Sequence, residues 1–261
     1  MKNCILTTAS HSIFSDLARF VKQARSFHPT DDIVIMMPEY HMDPVSCKQL
    51  KDEYKIRIAT YSLQFCNNLA DLMTKRFVMF EQYLNQFEYN NVFICDCRDL
   101  YFQGNIFDYK FNTDIVCFKE VNKIKDNDVA KGWLNIFSDP KEKEQMANEY
   151  NICLGTLLGT QTGILKFIGP FLHKMMTSGL ALNNDQIIYN YLIHTNAIES
   201  LTVKLEDNFT GPVATVGDRD AHSSVTIKED GTVYINSVHK PVVVHQYDRL
   251  SPELQKLINK E

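Results

Sequence analysis

The 261-residue sequence lacks the features that mark membrane and nucleic-acid-binding proteins. No apolar run approaches the ~20 residues that span a bilayer, and the apolar core of the N-terminus is too short for a secretory signal. There is no run of Lys or Arg, and a formal charge of -5 gives no general attraction to nucleic acid. We therefore expect a soluble, cytoplasmic protein with no membrane span and no nucleic-acid partner.

The sequence also lacks cysteine and glycine motifs that would indicate redox chemistry. Its seven cysteines are scattered without a CxxC pair, and Cys95 and Cys97 alternate along one strand, where a disulfide fits poorly. We interpret them as reduced, largely buried thiols. No GxGxxG motif follows the first predicted strand, which disfavours a nicotinamide-dependent dehydrogenase.

Apolar runs separated by helical segments predict a layered α/β sheet. The expected strands are 3–8, 32–37, 55–60, 92–95 and 114–118, and the expected helices are 15–26, 69–87, 163–176, 186–192 and one opening at Ser251. The charged segment 119–131 is expected to be a surface excursion, and short strands with a hairpin at Asp230-Gly231 follow Leu201. We predict one α/β domain with a mostly parallel central sheet flanked by helices and a β-rich C-terminal part.

The segment 91–102, NVFICDCRDLYF, places two aspartates at the end of an apolar strand. Aspartate is depleted in strands and costly to bury unpaired, so Asp96 and Asp99 suggest a site. Residues three apart do not share a strand face, so these carboxylates converge only if the chain turns after Cys97. One could then hold a divalent ion while the other binds hydroxyl groups. Alternatively, Asp99 pairs with Arg98 or caps a turn.

Three other positions could contribute to this site. His245 follows three valines at the end of a predicted strand, where it is either structural or a ligand for a metal such as Mn²⁺ or Zn²⁺. Arg76 falls on the apolar stripe of the 69–87 helix, so it either snorkels to solvent or faces a buried or bound anion. Thr7 and Thr8 lie at the carboxyl end of the first strand, where ligands of α/β sheets collect.

Together, the acidic motif and the late segment VVHQYDR resemble nucleotide-sugar glycosyltransferases with the GT-A fold. The matching stretches are 74–84, 92–107, 154–167, 184–190 and 242–249, in order along most of the chain. The resemblance implies one domain over 1–261, with a nucleotide-binding half at 1–118 and an acceptor-side half at 119–261. It implies Mn²⁺ or Mg²⁺ as cofactor, a nucleotide-diphosphate sugar as donor, with a UDP-sugar favoured, and a hydroxyl of a glycan or other molecule as acceptor.

The same resemblance assigns expected roles to the acidic motif and its partners. Asp99 and His245 would bind the metal, and Asp96 would join them or bind the ribose. Arg76 would steady the donor's phosphates or sugar. Arg98 stands where the family has a second acid, so it would contact the donor and partly replace metal charge. Thr7 and Thr8 would line the nucleotide pocket.

Asp185 and Gln186 resemble the family's DQ motif, which lies before a helix and near the reacting sugar. Asp185 could act as the general base of an inverting reaction, or either residue could support positive charge in a retaining one. The alternative for Asp185 is a plain helix cap. Two other functions compete with transfer: a phosphatase, whose acidic motif usually follows the first strand, and a non-catalytic module of the same fold that binds a nucleotide sugar or glycan.

Overall fold

We describe the protein from a computed structural model, which covers residues 1–9, 14–39, 42–62, 69–177 and 185–258. The strands are β1 (Cys4–Thr8), β2 (Asp32–Pro38), β3 (Arg57–Tyr61), β4 (Asn91–Cys95), β5 (Leu100–Phe102), β6 (Ile115–Lys123), β7 (Tyr150–Thr160), β8 (Val203–Glu206), β9 (Val213–Thr215), β10 (Val225–Ile227), β11 (Val233–Ile235) and β12 (Val243–His245). The α-helices are α1 (Phe14–Phe27), α2 (Pro44–Tyr54), α3 (Leu69–Leu84), α4 (Asp128–Trp133), α5 (Pro140–Asn148), α6 (Gln161–Thr177), α7 (Asp185–His194), α8 (Arg219–His222) and α9 (Pro252–Ile258).

The main sheet is mostly parallel, as its apolar runs predicted. Its strand order is β3-β2-β1-β4-β7-β6-β8, and the four strands from β3 to β4 are parallel. Strand β7 is antiparallel to β4 and β6, whereas β8 is parallel to β6. The carboxyl end of β4 therefore lies beside the first half of β7, and both segments contribute to the site.

The expectation of a surface excursion from residue 119 was wrong for its first five residues. Strand β6 continues to Lys123, because Lys119 pairs with Ile152 and Lys123 pairs with Tyr150 across register shifts. These side chains are only half-buried, so their charge is compatible with a strand that runs past the core.

Helices cover both faces of the main sheet. The apolar stripe of α3 is buried at Leu72, Phe77, Phe80 and Leu84, in one cluster with α6 and α7. Helices α1 and α2 contribute to a second cluster on the opposite face. Each fully buried side chain of this size contributes about 1.5–3 kcal/mol to folding, so the two clusters hold the layers in place.

A second sheet, of order β5-β12-β9, contains the late apolar strand. Strand β12 is antiparallel to β5, with His245 opposite Leu100, and parallel to β9. The expected hairpin is present as β10 and β11, with Gly231 at φ 81 in its turn. The pairing of β12 with β5 carries the late histidine to the residue that follows Asp99.

Two further expectations concern the cysteines and the membrane. The six cysteines of the described residues are not in disulfide bonds, and Cys66 lies outside these residues. Within the described parts of the chain, no helix is long and apolar enough to cross a membrane.

Candidate functional site

A turn after β4 brings the two aspartates and the late histidine together. The chain bends over residues 97–99 before β5 begins, so both carboxylates face the same region. One potential ligand atom from each of Asp96, Asp99 and His245 lies within 4.8 Å of the others. Two backbone hydrogen bonds hold this turn, since Asp96 N donates to Gly155 O at 2.9 Å and Gln246 N donates to Asp99 O at 2.8 Å.

The atoms of this cluster fit a bound cation. His245 Nε2 lies 3.5 Å from Asp96 Oδ2 and 3.7 Å from Asp99 Oδ1. Nε2 and Asp99 Oδ1 are buried without a hydrogen-bond partner among the described residues. Buried polar atoms are rarely left unpaired, and two carboxylates with an imidazole form a donor set that suits Mn²⁺ or another divalent ion.

The far side of the His245 ring is held by two small side chains. Nδ1 lies 3.5 Å from Cys153 Sγ and 3.4 Å from Thr215 Oγ1. The backbone of Thr215 is fixed by the buried amide of Asn208, which donates to its carbonyl and accepts from its N–H. A hydrogen bond from Nδ1–H to these groups would leave the lone pair of Nε2 facing the carboxylates, as a metal-binding imidazole requires.

Gly155 on β7 forms the floor of the cluster. A Cβ at this position would lie 2.5 Å from Asp96 Oδ2 and 2.6 Å from His245 Cε1, closer than side chains can approach. Gly159 and Gly163 instead approach the backbone of Asp114. Only the first of the three glycines in this segment therefore touches the site.

Arg76 is buried and faces two carboxylates. Its Nη1 lies 2.9 Å from Asp96 Oδ1, and its Nη2 lies 3.5 Å from Asp185 Oδ2. The side chain is 6% exposed, so it does not snorkel to solvent. Of the two interpretations of its position on the apolar stripe, the one that faces a buried anion is confirmed.

Helix α7 is anchored so that its first residues lie beside this cluster. Buried Asn190 accepts from Ile152 N at 2.8 Å and donates to Ile152 O at 3.0 Å, which binds α7 to β7. Asp185 is the first residue of α7, and Asn184 before it lies outside the described residues. Gln186 Nε2 donates to Glu120 Oε1 at 3.2 Å. The DQ pair thus lies between Arg76 on one side and β6 on the other.

Burial and charge shift the pKa values of these groups in opposite directions. Burial would raise the pKa of Asp96, but its contacts with His245 and Arg76 lower it overall. Burial raises the pKa of Asp99, and it raises that of Asp185 against the opposing charge of Arg76. Burial would lower the pKa of His245, but Cys153, Asp99 and Asp96 raise it well above the usual value. The cluster therefore favours a positive charge among its carboxylates.

The remaining predicted residues lie at different distances from this cluster. Thr7 is fully buried, and its hydroxyl has no hydrogen-bond partner within the residues that the structure describes. Thr8 is half-buried at the end of β1, where its carbonyl accepts from Cys97 Sγ at 3.3 Å. Arg98 is 61% exposed and pairs with Asp248 at 3.2 Å, outside the group of Asp96, Asp99 and His245. The alternative pairing of Arg98 with Asp99 is not among the ion pairs of the described residues.

Sequence reasoning did not find several residues that support the site. Glu120 connects Gln186 to Asn151, and Cys153 and Thr215 contact His245. None of these belongs to a motif, and Glu120 lies in the segment expected to be a surface excursion. The one signal in the sequence that could have indicated these residues is their position as polar side chains within apolar strands. Such positions are common in proteins for reasons unrelated to function.

No protein-family model matches the chain, and none of the curated proteins is similar to it in sequence. Among solved structures it is similar to the galactosyltransferase LgtC in complex with donor and acceptor sugar analogs. That match has a TM-score of 0.58 at 12% identity and covers 95% of this chain and 87% of that one. An active-site glutamine-to-glutamate mutant of LgtC matches with a TM-score of 0.59 at 12% identity, covering 97% of this chain and 93% of that one. At this identity the likeness establishes the fold, and the GT-A-like α/β fold expected from the sequence is confirmed.

Proposed function

We propose that this protein is a metal-dependent glycosyltransferase, which moves a sugar from a nucleotide-diphosphate donor to a hydroxyl of a glycan or other acceptor. The donor we favour is a UDP-sugar. The fold similarity to LgtC, a galactosyltransferase crystallised with donor and acceptor sugar analogs, supports this reaction class. The active-site glutamine mutant of LgtC is consistent with a role for Gln186 near the reacting sugar.

The charge balance around Asp96 is the observation that carries the proposal. The carboxyl groups of Asp96 and Asp185 face the buried guanidinium of Arg76, and that of Asp99 lies in the same group as Asp96 and His245. A donor diphosphate is itself anionic, so additional positive charge would favour its approach to these carboxyl groups. Asp96, Asp99 and His245 would hold Mn²⁺ or Mg²⁺, and such an ion supplies positive charge that stabilises the departing diphosphate.

The side chains divide into a donor side and a reacting centre. Asp96 has a 36% exposed side chain, compared with 8% for Asp99, so it is the carboxylate that a donor can reach. Thr7 and Thr8 would line the nucleotide pocket at the end of β1. Arg76 would steady the phosphates or the sugar. This division follows the expected nucleotide-binding half, 1–118.

In the reaction the sugar–phosphate bond of the donor breaks and the acceptor hydroxyl bonds to the anomeric carbon. The nucleoside diphosphate leaves with the bonding electrons, and the hydroxyl proton must be taken up by a base or by the leaving phosphate. Asp185 contacts Arg76, which also contacts Asp96, and Gln186 contacts Glu120. A donor sugar bound next to Asp96 would therefore lie within reach of Asp185 and Gln186. The raised pKa of buried Asp185 suits a group that takes up a proton or stabilises positive charge.

The first test is thermal unfolding with Mn²⁺ and a panel of nucleotide sugars. We expect the correct donor to raise the melting temperature in the presence of metal, because a ligand at a hundred times its Kd stabilises the native state by about 2.7 kcal/mol. The same donor should release nucleoside diphosphate slowly without acceptor. Asp99→Asn should lose both responses, and the exposed Asp52→Asn should retain them as the matched carboxylate-to-amide control.

Two outcomes would contradict the proposal in different ways. If no nucleoside diphosphate or nucleotide sugar shifts the melting temperature, with or without metal, the fold has no donor site and the proposal fails. If UDP binds but no donor and acceptor pair is turned over across a broad panel, the protein is a binding module of the same fold.

A further inference from the structure

A cavity of about 580 Å³ opens beside the candidate reacting centre. Gln186 and Gln246 line it, and they follow Asp185 and His245 in the sequence. The cavity also extends to α4, α8 and the end of β6, all within residues 119–261. A second substrate that must reach the donor sugar could occupy this space.

Buried Asn151 lines this cavity and has one hydrogen-bonding atom without a partner among the described residues. Asn151 is 2% exposed, and its Nδ2 donates to Glu120 Oε2 at 2.7 Å. A carboxylate only accepts hydrogen bonds, so the amide nitrogen must face Glu120 and the amide oxygen must face away from it. Asn151 Oδ1 is buried without a partner among the described residues. An occupant that donates a hydrogen bond, such as a hydroxyl group, would satisfy it.

Glu120 connects that unpaired oxygen to the candidate catalytic glutamine. One carboxylate oxygen accepts from Asn151 and the other accepts from Gln186 at 3.2 Å. A hydroxylated molecule bound to Asn151 would therefore lie next to Gln186, on the side from which a hydroxyl could reach the donor sugar. Glu120 is a positioning residue in this arrangement.

The charges of the cavity wall disfavour an anionic occupant. Its carboxylates are Glu120, Asp126, Asp128, Asp218 and Asp220. They outnumber the two guanidinium groups, Arg219 and Arg249. Both arginines are exposed, as are Asp126, Asp128 and Asp220. Like charges brought together at a binding site are repulsive, so a carboxylate or phosphate on the occupant would weaken its binding.

The only tryptophan of the chain adds an aromatic surface to this wall. Trp133 is half-buried at the end of α4 and lines the cavity. Aromatic rings combine a flat apolar surface with a polar tip, and the apolar surface can pack against the C–H face of a sugar ring. An aromatic surface beside hydroxyl-binding groups is more typical of a sugar site than of a site for small ions.

We propose that this cavity binds the acceptor, and that the acceptor is a hydroxylated sugar without negative charge. The inference rests on the proposed glycosyl transfer. It goes beyond that function by naming the charge class of the second substrate. Asn151 receives a hydroxyl of the acceptor, Glu120 positions Gln186, and the surrounding carboxylates disfavour uronic acids and phosphorylated sugars.

The test compares acceptors that share a sugar ring and a methyl glycoside but carry different charges, with the donor found by the melting experiment. The methyl glycosides of glucose, glucosamine and glucuronic acid form one set, and the corresponding galactose derivatives form a second. We expect the neutral and amino sugars to be glycosylated with a kcat/KM at least about tenfold above that of the uronic acids, and the gap to narrow with added salt. A uronic acid that matches or exceeds its neutral counterpart at low salt overturns the inference.

Variants of the cavity wall sharpen the result. The double variant Asp126→Asn, Asp128→Asn should reduce the ratio of kcat/KM for the neutral sugar to kcat/KM for the uronic acid by about fivefold. The reduction is modest because each exposed charge contributes little to binding. Asn151→Ser should raise the KM for the acceptor about tenfold, and more than the KM for the donor. The control Glu199→Gln removes an exposed carboxylate that does not line the cavity, and should leave the acceptor ranking unchanged.

Failure of this inference is distinguishable from failure of the proposed function. If no donor is bound or hydrolysed, the glycosyltransferase assignment itself is wrong. The other outcome is that the donor is bound and hydrolysed while acceptor charge has no influence on kcat/KM, or while Asn151→Ser raises the KM values for donor and acceptor equally. In either case the glycosyltransferase proposal is retained and the assignment of this cavity to an uncharged acceptor is wrong.

Discussion

Two histidines of this protein, His28 and His245, are both completely buried, but their surroundings differ. His28 follows α1, and its Nδ1 lies 2.9 Å from Ala24 O while its Nε2 accepts from Ile106 N at 3.1 Å. Its ring packs edge-on against Phe102 and Phe107. Both ring nitrogens have backbone partners, so the neutral form of this residue is fully satisfied.

His245 has the same burial but an incomplete set of partners. Nδ1 faces Cys153 and Thr215, whereas Nε2 has no hydrogen-bond partner in the described part of the chain and lies within 4 Å of two carboxylates. The pKa of His28 is lowered by burial, but that of His245 is raised because neighbouring acidic groups outweigh burial. Burial therefore does not distinguish a structural histidine from a candidate metal ligand. The distinction lies in what each nitrogen faces.

The largest expected effect separates the two residues by activity. His245→Ala should reduce metal-dependent turnover at least about a hundredfold. Substituting a residue that only orients a metal ligand typically lowers metal affinity by about 10- to 100-fold, and loss of a ligand itself should cost at least as much. His28→Leu should retain the metal dependence of the remaining activity. The rate of donor hydrolysis, measured for each variant at increasing Mn²⁺ concentration, gives both its turnover and its metal affinity. Equal metal affinity in His245→Ala and the wild type would remove this residue from the site.

The next effect concerns stability and should be larger at His28. His28→Leu leaves Ile106 N buried without its partner and removes the side-chain bond to Ala24 O, which keeps its bond to the backbone N–H of residue 28. The free energy of unfolding should therefore fall by about 1–3 kcal/mol. Urea unfolding measures the change. A loss below about 0.5 kcal/mol, typical of surface substitutions, would mean that these hydrogen bonds do not hold the ring in place.

A third comparison examines the floor beneath His245. Gly155→Ala should destabilise the protein by about 1–3 kcal/mol and weaken its response to metal, because the new Cβ collides with Asp96 and His245. Gly169→Ala is the matched control, since nothing lies within 4 Å of its added Cβ inside α6. That change should stabilise the helix by about 0.5–1 kcal/mol. Similar effects at both glycines would show that the cluster can expand without cost.

The smallest effect is the pH dependence that comes from His28. Its pKa is lower in the folded protein, so the folded state binds fewer protons than the unfolded state below the ordinary pKa of about 6.5. The stability it contributes is therefore complete above that pH and is lost as the pH falls, by at most about 1.4 kcal/mol per unit. The urea-unfolding difference between wild type and His28→Leu should shrink from pH 7 to pH 5. A constant difference would contradict this sign.

Much of the fold followed from local patterns. The parallel strands β1 to β4, the stripe of α3 and the β10–β11 hairpin were expected from apolar periodicity and turn residues. Strand β7 was not among the expected strands. Its antiparallel direction is not a local property either, because alternation reports which face of a strand is buried and not which way the strand runs. The length of β6 was also missed, since charged residues beyond the core resemble those of a loop.

The site was predictable only in its components. Asp96, Asp99, His245 and Arg76 were each expected near a strand end or an anion, but their convergence was conditional on a turn after Cys97. Arg98 was expected beside the donor, yet it pairs with Asp248 at the surface. Its contact with a donor remains a prediction.

The sequence by itself determined the fold class and which side chains were candidates for chemistry, since hydrophobic periodicity and residue type are local properties. The tertiary structure alone decided which of them meet. Pairing of β12 with β5 brings His245 to the acidic turn, and Gly155 leaves the space for it. The same structure placed Asn151 and Glu120 in the wall of the adjoining cavity. Such contacts join residues as far apart as Asp96 and His245, so no pattern in a short window could contain them.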